Sequence, residues 1–312
     1  MSSEAEKWRN CPRDHLARST ELPWYHEKFE SKLQPPFCRL LQEWSGIAPG
    51  DIVPHIYQVV GSLEFLEPQS LTDIQREKAW EVFPWPCIGQ FAFIEQGLLH
   101  HPNYFRITQR LTINTPAHRF LDLGTCLGQD IRTLLHDGAS PSTIYGADLI
   151  PAFRDVGYAL FKDSDRLDPS HFIIGDIFSE ADKLATTRGT WDIVHISNFL
   201  HLFSFADQEA ASKNILKLLK RVPGSTIIGT QMGSLVAEHF KLKPPMCEPG
   251  EDKTVYRHNK ETLKALFEKA ANELGIKAVV WSDYDEANMR GPAGQFFAGD
   301  NARRISFVVD FI

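Results

Sequence analysis

The stretch Phe120-Leu121-Asp122-Leu123-Gly124-Thr125-Cys126-Leu127-Gly128-Gln129-Asp130 decides the fold. Its first four residues form a short apolar run that predicts a buried strand, and apolar residues at helical spacing follow from Gln129. Gly124 would permit a tight turn between the two, and Gly128 would let a ligand approach the backbone closely. The pattern is not G-x-G-x-x-G, and it lacks the Lys-Ser/Thr pair of a phosphate-binding loop. It therefore predicts a strand, a turn and a helix, with a ligand over the end of the strand.

From Arg119 to the end of the chain, strand-like and helix-like segments alternate. The predicted strands cover residues 120–123, 143–147, 171–174, 192–196, 225–229, 276–281 and 304–311, and the predicted helices cover residues 129–136, 151–161, 208–220 and 259–274. This alternation predicts an α/β fold with a doubly wound, Rossmann-like sheet of seven strands. Ligands of such a sheet bind at the carboxyl ends of its strands.

The N-terminal third has a different texture, because it is rich in proline and carries five of the seven tryptophans. Its patterns predict mostly helix, including segments over residues 73–80 and 88–99. We expect two regions: a helical lid and substrate-binding region over residues 1–118, and a cofactor-binding core over residues 119–312. Most of the aromatic side chains would build a small second core. We also expect some of them to line a pocket for a hydrophobic substrate, namely Trp24, Tyr25, Trp85 and Phe91.

Composition excludes several classes of protein. The net charge of −7 disfavours nucleic acid and anionic membranes as partners. No stretch has the roughly 18–20 apolar residues of a membrane helix, and the N-terminus has no secretory or organellar pattern. Five scattered cysteines without a C-x-x-C pair argue against disulfides and zinc. The adjacent His100 and His101 would point apart on a helix, so no metal site is predicted. A cytoplasmic protein with a small-molecule partner is the expectation.

Two further acids follow predicted strands. Asp148 ends the second strand, where a carboxylate can accept hydrogen bonds from both hydroxyls of a ribose, and Asp176-Ile177 follows the third. Each acid taken alone could equally be a helix cap or a turn residue. Together with Asp122 they place three acids, about 26–28 residues apart, beside the strands of one α/β run. This regular placement favours a shared nucleoside site.

The deciding stretch resembles motif I of the class I S-adenosylmethionine methyltransferases, which usually reads (D/E)-x-G-x-G-x-G. Cys126 stands where that motif has its middle glycine. The resemblance implies S-adenosylmethionine as the cofactor and methyl transfer as the reaction. By position in the motifs, it implies that the cofactor contacts Asp122, Gly124, Thr125, Gly128, Asp148, Leu149, Asp176, Ile177, Asn198 and, from the lid, Gln90.

Further strings are similar to one fungal group of methyltransferases from secondary-metabolite clusters. They are Cys87-Ile88-Gly89-Gln90-Phe91, Asp192-Ile193-Val194-His195, Phe199-Leu200-His201-Leu202-Phe203, Gly229-Thr230-Gln231-Met232-Gly233-Ser234 and Tyr256-Arg257-His258-Asn259. The group is typified by the meroterpenoid carboxyl methyltransferases of the austinol and terretonin pathways. The resemblance covers about residues 80–312, with a weaker N-terminal correspondence. It implies methyl transfer to a small terpenoid or polyketide-like metabolite, often as a methyl ester.

The acceptor chemistry decides which further residues matter. A carboxylic acid is already an anion at pH 7, whereas a phenol needs a base. His201, just beyond the fourth strand, is the candidate catalytic base or acceptor-orienting residue. Gln231 and Arg257 are candidate substrate ligands; the alternative for Gln231 is a solvated turn at the end of its strand, and the alternative for Arg257 is the approach to the helix that begins at Asn259. The expected reaction is methylation of a carboxylate. A phenol, nitrogen or carbon acceptor, or a fold retained as a non-methylating cyclase or binding protein, remains the alternative. The oligomeric state stays open, a homodimer included.

Overall fold

The structure is a computed structural model that describes residues 19, 21–60, 79–113, 116–244, 246–285 and 301–312. Most of the helix predicted over residues 73–80 lies outside the described residues. The N-terminal helices are α1 (Pro35–Arg39), α2 (Ile52–Val60), α3 (Ala79–Val82), α4 (Pro86–Gly89) and α5 (Tyr104–Thr112). A π-helical turn over Leu40–Trp44 and 3₁₀ turns over Glu30–Lys32, Pro49–Asp51 and Ala92–Glu95 connect them.

The helix predicted over residues 88–99 is wrong. α4 ends at Gly89, and a 3₁₀ turn follows between two residues in the left-handed conformation, Phe91 with φ 54° and Gln96 with φ 48°. A left-handed residue cannot continue a right-handed helix, so the hydrogen-bond ladder stops there. The apolar spacing in this segment serves the N-terminal core instead, where Phe91 and Ile94 are buried.

The core is the predicted alternation of strands and helices. Its elements are β1 (Phe120–Leu123), α6 (Gln129–His136), β2 (Ile144–Asp148), α7 (Ala152–Phe161), β3 (Phe172–Ile174), β4 (Ile193–Ser197), α8 (Phe205–Leu218), β5 (Thr226–Ser234), β6 (Glu238–Lys241), β7 (Thr254–Arg257), α9 (Lys260–Glu273), β8 (Ala278–Asp285) and β9 (Ala302–Phe311).

Seven of these strands form one sheet in the order β3-β2-β1-β4-β5-β9-β8, which confirms the predicted doubly wound architecture. The first five strands are parallel, and β9 runs antiparallel between β5 and β8. The strand order reverses between β1 and β4. A crevice opens at such a reversal, beyond the carboxyl ends of the strands.

Apolar side chains cover both faces of the sheet. One face packs on α8 and α9, and the other packs on α5 and α6. A third cluster joins the N-terminal helices to the core, because Trp24, Phe37 and Phe91 pack with residues of α7, including Phe153 and Phe161. The N-terminal helical region therefore rests on the core beside the strand that ends at Asp148.

The paired strands β6 and β7, inserted between β5 and α9, were not predicted. They form a separate antiparallel sheet in which β6 is largely exposed and Val255 and Arg257 of β7 are buried, so the sequence shows no clear apolar alternation there. The amide of Tyr256 donates to the carbonyl of Phe203 at 3.1 Å, and Gln208 Nε2 donates to both Phe203 O and Tyr256 O. These bonds fix β7 against the loop that follows β4. Over the described residues, no helix combines the length and apolarity that crossing a membrane would require.

Candidate active site

The turn over residues 124–128, here called the cofactor turn, connects β1 to α6. Gly124 and Gly128 have φ values of 78° and 71°, and Cys126 between them has φ 50°. Cys126 thus adopts the left-handed conformation that a motif glycine would, at a cost of order 1–3 kcal/mol. The amides of Gly124 and Thr125 donate to the carbonyl of Ala147 at 2.8 and 3.0 Å, which ties the turn to β2. A Cβ on Gly124 would lie only 3.0 Å from the ring of Phe199.

Asp148 lies at the end of β2, beside this turn. Its Oδ2 accepts from the amide of Cys126 at 2.9 Å, and its Oδ1 accepts from the amide of Ile150 at 3.0 Å. Burial raises the pKa of Asp148 to about 6, even though these two amides oppose the shift. A carboxylate held by backbone donors in a desolvated position retains lone pairs that can accept from two ligand hydroxyls.

The other predicted cofactor residues lie along the same edge of the sheet. Asp176 follows β3, and the amide of neighbouring Gly175 donates to the carbonyl of Asp148. The side chain of Asp176 accepts from the amide of Phe178 at 2.9 Å, and Ile177 is buried. Asn198 follows β4 with an exposed side chain and φ 49°. The crevice residues predicted from sequence therefore meet at one edge, but their contacts with a cofactor remain a prediction.

Helix α4 of the N-terminal region lies near this edge, because its Cys87 is close enough to Asp148 for that carboxylate to affect its pKa. The side chain of Cys87 is exposed, yet desolvation by the surrounding protein and the nearby carboxylate of Asp148 raise the pKa of its thiol to about 11. The thiol of Cys126 also faces Cys87 and Asp148, and its pKa is raised by burial first and by these neighbours next. Gln90, at the end of α4, is half-buried.

A second group of polar side chains surrounds the loop after β4. Gln231 on β5 and Arg257 on β7 are only 1% and 4% exposed. Both polar atoms of the Gln231 amide and Nη1 of Arg257 lack a hydrogen-bond partner among the described residues, as do His201 Nδ1 and His258 Nε2. These side chains come from elements that pack against one another. Unsatisfied buried polar groups are costly, so this group is suited to a polar ligand.

His201 and Arg257 differ in their charge at pH 7. Burial, and next the charge of Arg257, lower the pKa of His201 to about 4, so its imidazole is neutral at pH 7. Burial also lowers the pKa of Arg257 to about 10, which leaves it a cation at neutral pH. The guanidinium carbon of Arg257 lies 3.3 Å from the ring centroid of Phe240 on β6, which orients it.

The four aromatic residues predicted to line a substrate pocket lie in or against the N-terminal core. Trp24 and Phe91 are buried within it, and the ring of Phe91 lies 4.8 Å from that of Phe29. Tyr25 and Trp85 are half-buried and pack on its surface. Their packing accounts for the aromatic composition of the region, and their contact with a substrate remains a prediction.

Sequence reasoning predicted Asp122 as a cofactor contact but missed the buried set of charged residues to which it belongs, beneath the cofactor turn. Asp122, Asp130 and His195 bring one carboxylate or imidazole atom each to within 4.8 Å of one another. His195 Nδ1 lies 2.7 Å from Asp122 Oδ1, and Asp130 accepts from the amide of Leu98. Three such atoms could hold a metal, but these are already paired with one another or with backbone. The signal in the sequence was a histidine inside a predicted buried strand.

Comparison with known proteins places the chain in a family. Residues 24–94 match the model of the meroterpenoid methyltransferase N-terminal domain. The O-methyltransferase phiE of a fungal species is 33% identical over 89% of this chain and 84% of its own length. The methyltransferase ausD of Penicillium brasilianum is 31% identical over 88% of this chain and 90% of its own length. This chain belongs to that family of fungal methyltransferases.

One further relative and one solved structure are also similar to this chain. The methyltransferase trt5 of Aspergillus terreus is 30% identical over 88% of this chain and 90% of its own length. Among solved structures, a phosphoethanolamine N-methyltransferase of Haemonchus contortus in complex with S-adenosylmethionine has a TM-score of 0.43 and 14% identity, over 67% of this chain and 53% of that one.

The family methyltransferase activity makes S-adenosylmethionine the cofactor of this chain. The crevice fits it, because the chain supplies a side-chain-free position at Gly124, a carboxylate at Asp148 beside the cofactor turn, and Cys87 of α4 near that carboxylate. When bound, the cofactor supplies an electrophilic methyl group on its sulfonium.

Proposed function

We propose that this methyltransferase forms a methyl ester on the carboxylate of a small hydrophobic metabolite of terpenoid or polyketide type. The observation that carries the proposal is that a cationic Arg257, with an unpartnered buried nitrogen, and a neutral His201 lie on elements that pack against each other. In this step an acceptor oxygen gains the methyl group, the carbon–sulfur bond breaks with its electrons left on sulfur, and no proton is released.

The charge of the pocket selects between acceptors. A carboxylate would neutralise the buried guanidinium of Arg257 and could accept from it and from the Gln231 amide. A phenol would need a proton acceptor, and an imidazole whose pKa is about 4 is a weak one. His201 then serves to orient the acceptor rather than to deprotonate it. Arg257 and Gln231 have buried polar atoms without a partner among the described residues, and a carboxylate would satisfy them.

The test uses radiolabelled S-adenosylmethionine with a panel of aromatic and sesquiterpenoid carboxylic acids, each matched by a phenol or alcohol of the same carbon skeleton. We expect at least one acid to be converted to its methyl ester. We also expect that no phenol or alcohol is methylated faster than the acid with the same carbon skeleton. The rate for the acid should stay nearly constant from pH 6 to 8, because the acceptor is ionised throughout.

Arg257→Gln tests whether Arg257 binds the acceptor carboxylate, and Arg257→Lys is the matched variant that keeps the charge. We expect Arg257→Gln to raise KM for the acid about a hundredfold and Arg257→Lys to raise it about tenfold. Calorimetric binding of S-adenosylhomocysteine should be unchanged in both. Preferential methylation of the phenols, or an Arg257→Gln enzyme with an unaltered KM for acids, would overturn the proposal.

A further inference from the structure

Residues 96–98, here called the strap, cross from the lid to the core next to the carboxyl ends of the central strands. Gln96 Nε2 donates to Thr133 Oγ1 at 2.7 Å, and the amide of Leu98 donates to Asp130 Oδ1 at 3.1 Å. On the other side, Arg304 Nη2 reaches the carbonyl of Gly97 at 3.4 Å. Two side chains of α6 and one of β9 thus hold three consecutive residues of the lid.

The cofactor turn is held by Asp122, which lies close to Asp130 and His195. Thr125 Oγ1 donates to Asp122 Oδ2 at 2.7 Å, and the other oxygen of Asp122 pairs with His195. Asp122 is therefore the inner anchor of the turn, as Asp130 is the inner anchor of the strap. His195, which is 1% exposed, lies between the two carboxylates.

Charge balance makes the imidazole essential to this arrangement. Asp122 and Asp130 are both buried, and two uncompensated carboxylates in such a position would be strongly unfavourable. The charged groups that act on His195 are Asp122 from β1, Asp130 from α6 and Arg304 from β9, and the ring of His101 also acts on it from the lid side. A protonated His195 pairs with Asp122, whereas the guanidinium of Arg304 lies 3.7 Å from Asp285 of β8.

We propose that His195 is a positioning residue that couples the strap to the cofactor turn, so that one buried ion cluster sets both the affinity for the cofactor and the closure of the lid. His195 acts through Asp122 on Thr125 and through Asp130 on the amide of Leu98. This coupling does not involve the substrate. The proposal can therefore be tested independently of the acceptor that the enzyme methylates.

The direction of its pH dependence follows. Burial lowers the pKa of His195, but the charge and hydrogen bond of Asp122, together with the charge of Asp130, outweigh burial and raise the pKa above its ordinary value. Burial, with Asp122 next among the raising effects, raises the pKa of Asp130, an increase that the charge of His195 opposes. A raised histidine pKa means that the stabilising contribution is complete below about pH 6.5 and is lost as the pH rises through the folded-state value.

The first experiment measures the Kd of S-adenosylhomocysteine by calorimetry from pH 6 to 9.5 in wild type, His195→Gln and the control His136→Gln, a surface histidine on the same helix as Asp130. At pH 7 we expect His195→Gln to weaken binding at least tenfold, and amide hydrogen exchange in the strap to speed up. We expect wild type and the control to lose affinity as the pH rises, and we expect this loss to be smaller in His195→Gln.

The second experiment uses charge rescue. Asp130→Asn keeps an oxygen that can accept from Leu98 but removes one buried charge, so Asp130→Asn/His195→Gln should bind at least fivefold more tightly than His195→Gln. If His195→Gln does not fold, Asp130→Asn alone should shift the alkaline limb to lower pH. A His195→Gln protein with wild-type affinity and pH profile, a double variant no better than the single one, or an unshifted limb in Asp130→Asn would each overturn the proposal.

Discussion

Asp148 is the residue through which acidification should act on cofactor binding. Its folded-state pKa of about 6 lies above the ordinary value for Asp because the carboxylate is desolvated. Donor hydroxyls of a bound ligand would favour the charged form, so the contribution of Asp148 to affinity should be complete above pH 6 and be lost below it. We predict that the affinity for S-adenosylhomocysteine drops about tenfold per pH unit between pH 6 and 5, as measured by calorimetry.

Two variants test whether this slope belongs to Asp148. Asp148→Asn should bind the ligand weakly and lose the slope, because it has no proton to gain. Asp176→Asn, the matched change at the neighbouring strand, should weaken binding and keep the slope. An unaltered slope in Asp148→Asn would assign the titration to another group.

Among single residues, the sequence could predict those whose position depends on only one strand or helix. Asp148 and Asp176 were predictable because each ends a parallel strand, and parallel strands end at a common edge. The pairing of Asp122 with His195 was not, because the two residues lie 73 positions apart and meet only through the register of β1 beside β4. Their contact depends on sheet pairing that no local pattern encodes.

At the scale of elements, the approach of α7 to the cofactor turn depends on one glycine. A Cβ at Gly157 would lie 2.4 Å from the carbonyl oxygen of Leu127, far inside van der Waals contact. Gly157→Ala must therefore push α7 and the turn apart. We predict a loss of about 1–3 kcal/mol in the free energy of unfolding and weaker binding of S-adenosylhomocysteine, measured by urea denaturation and calorimetry.

Gly50→Ala is the matched control for that substitution. Gly50 lies in a short 3₁₀ turn, and nothing is within 4 Å of the position its Cβ would take. The control should leave stability and binding nearly unchanged, or raise stability slightly. Equal behaviour of the two variants would mean that the contact with Leu127 does not limit the packing of α7.

The elements of the core followed from sequence better than those of the lid. Helix α6 occupies the predicted residues 129–136, because its apolar stripe and the glycine before it are signals that can be recognised in the local sequence. The segment over residues 88–99 failed because tertiary packing places Phe91 in a left-handed conformation. Burial within the N-terminal core overrides helical periodicity there, and periodicity does not reveal such a competition.

On the scale of the whole molecule, a buried ion pair connects the N-terminal region, α6 and the segment after α7. Arg132 bonds both oxygens of Asp163 at 2.7 and 2.8 Å, and Trp44 Nε1 donates to Asp163 Oδ2 at 2.9 Å. Nη1 of Arg132 also donates to the carbonyls of Leu127 and Gly128 in the cofactor turn. Loss of either charge would leave the other buried without its partner.

We therefore predict that Arg132→Met or Asp163→Leu alone lowers the free energy of unfolding by about 3–5 kcal/mol, whereas the double variant loses clearly less than the sum. Urea denaturation followed by tryptophan fluorescence measures this, because Trp44 reports on the N-terminal side of the pair. Lys264→Met, which removes an exposed lysine from a surface pair with Glu268, is the control and should change stability by less than about 1 kcal/mol. Strictly additive losses in the double variant would show that Arg132 and Asp163 stabilise the two regions independently, rather than as one buried link between lid and core.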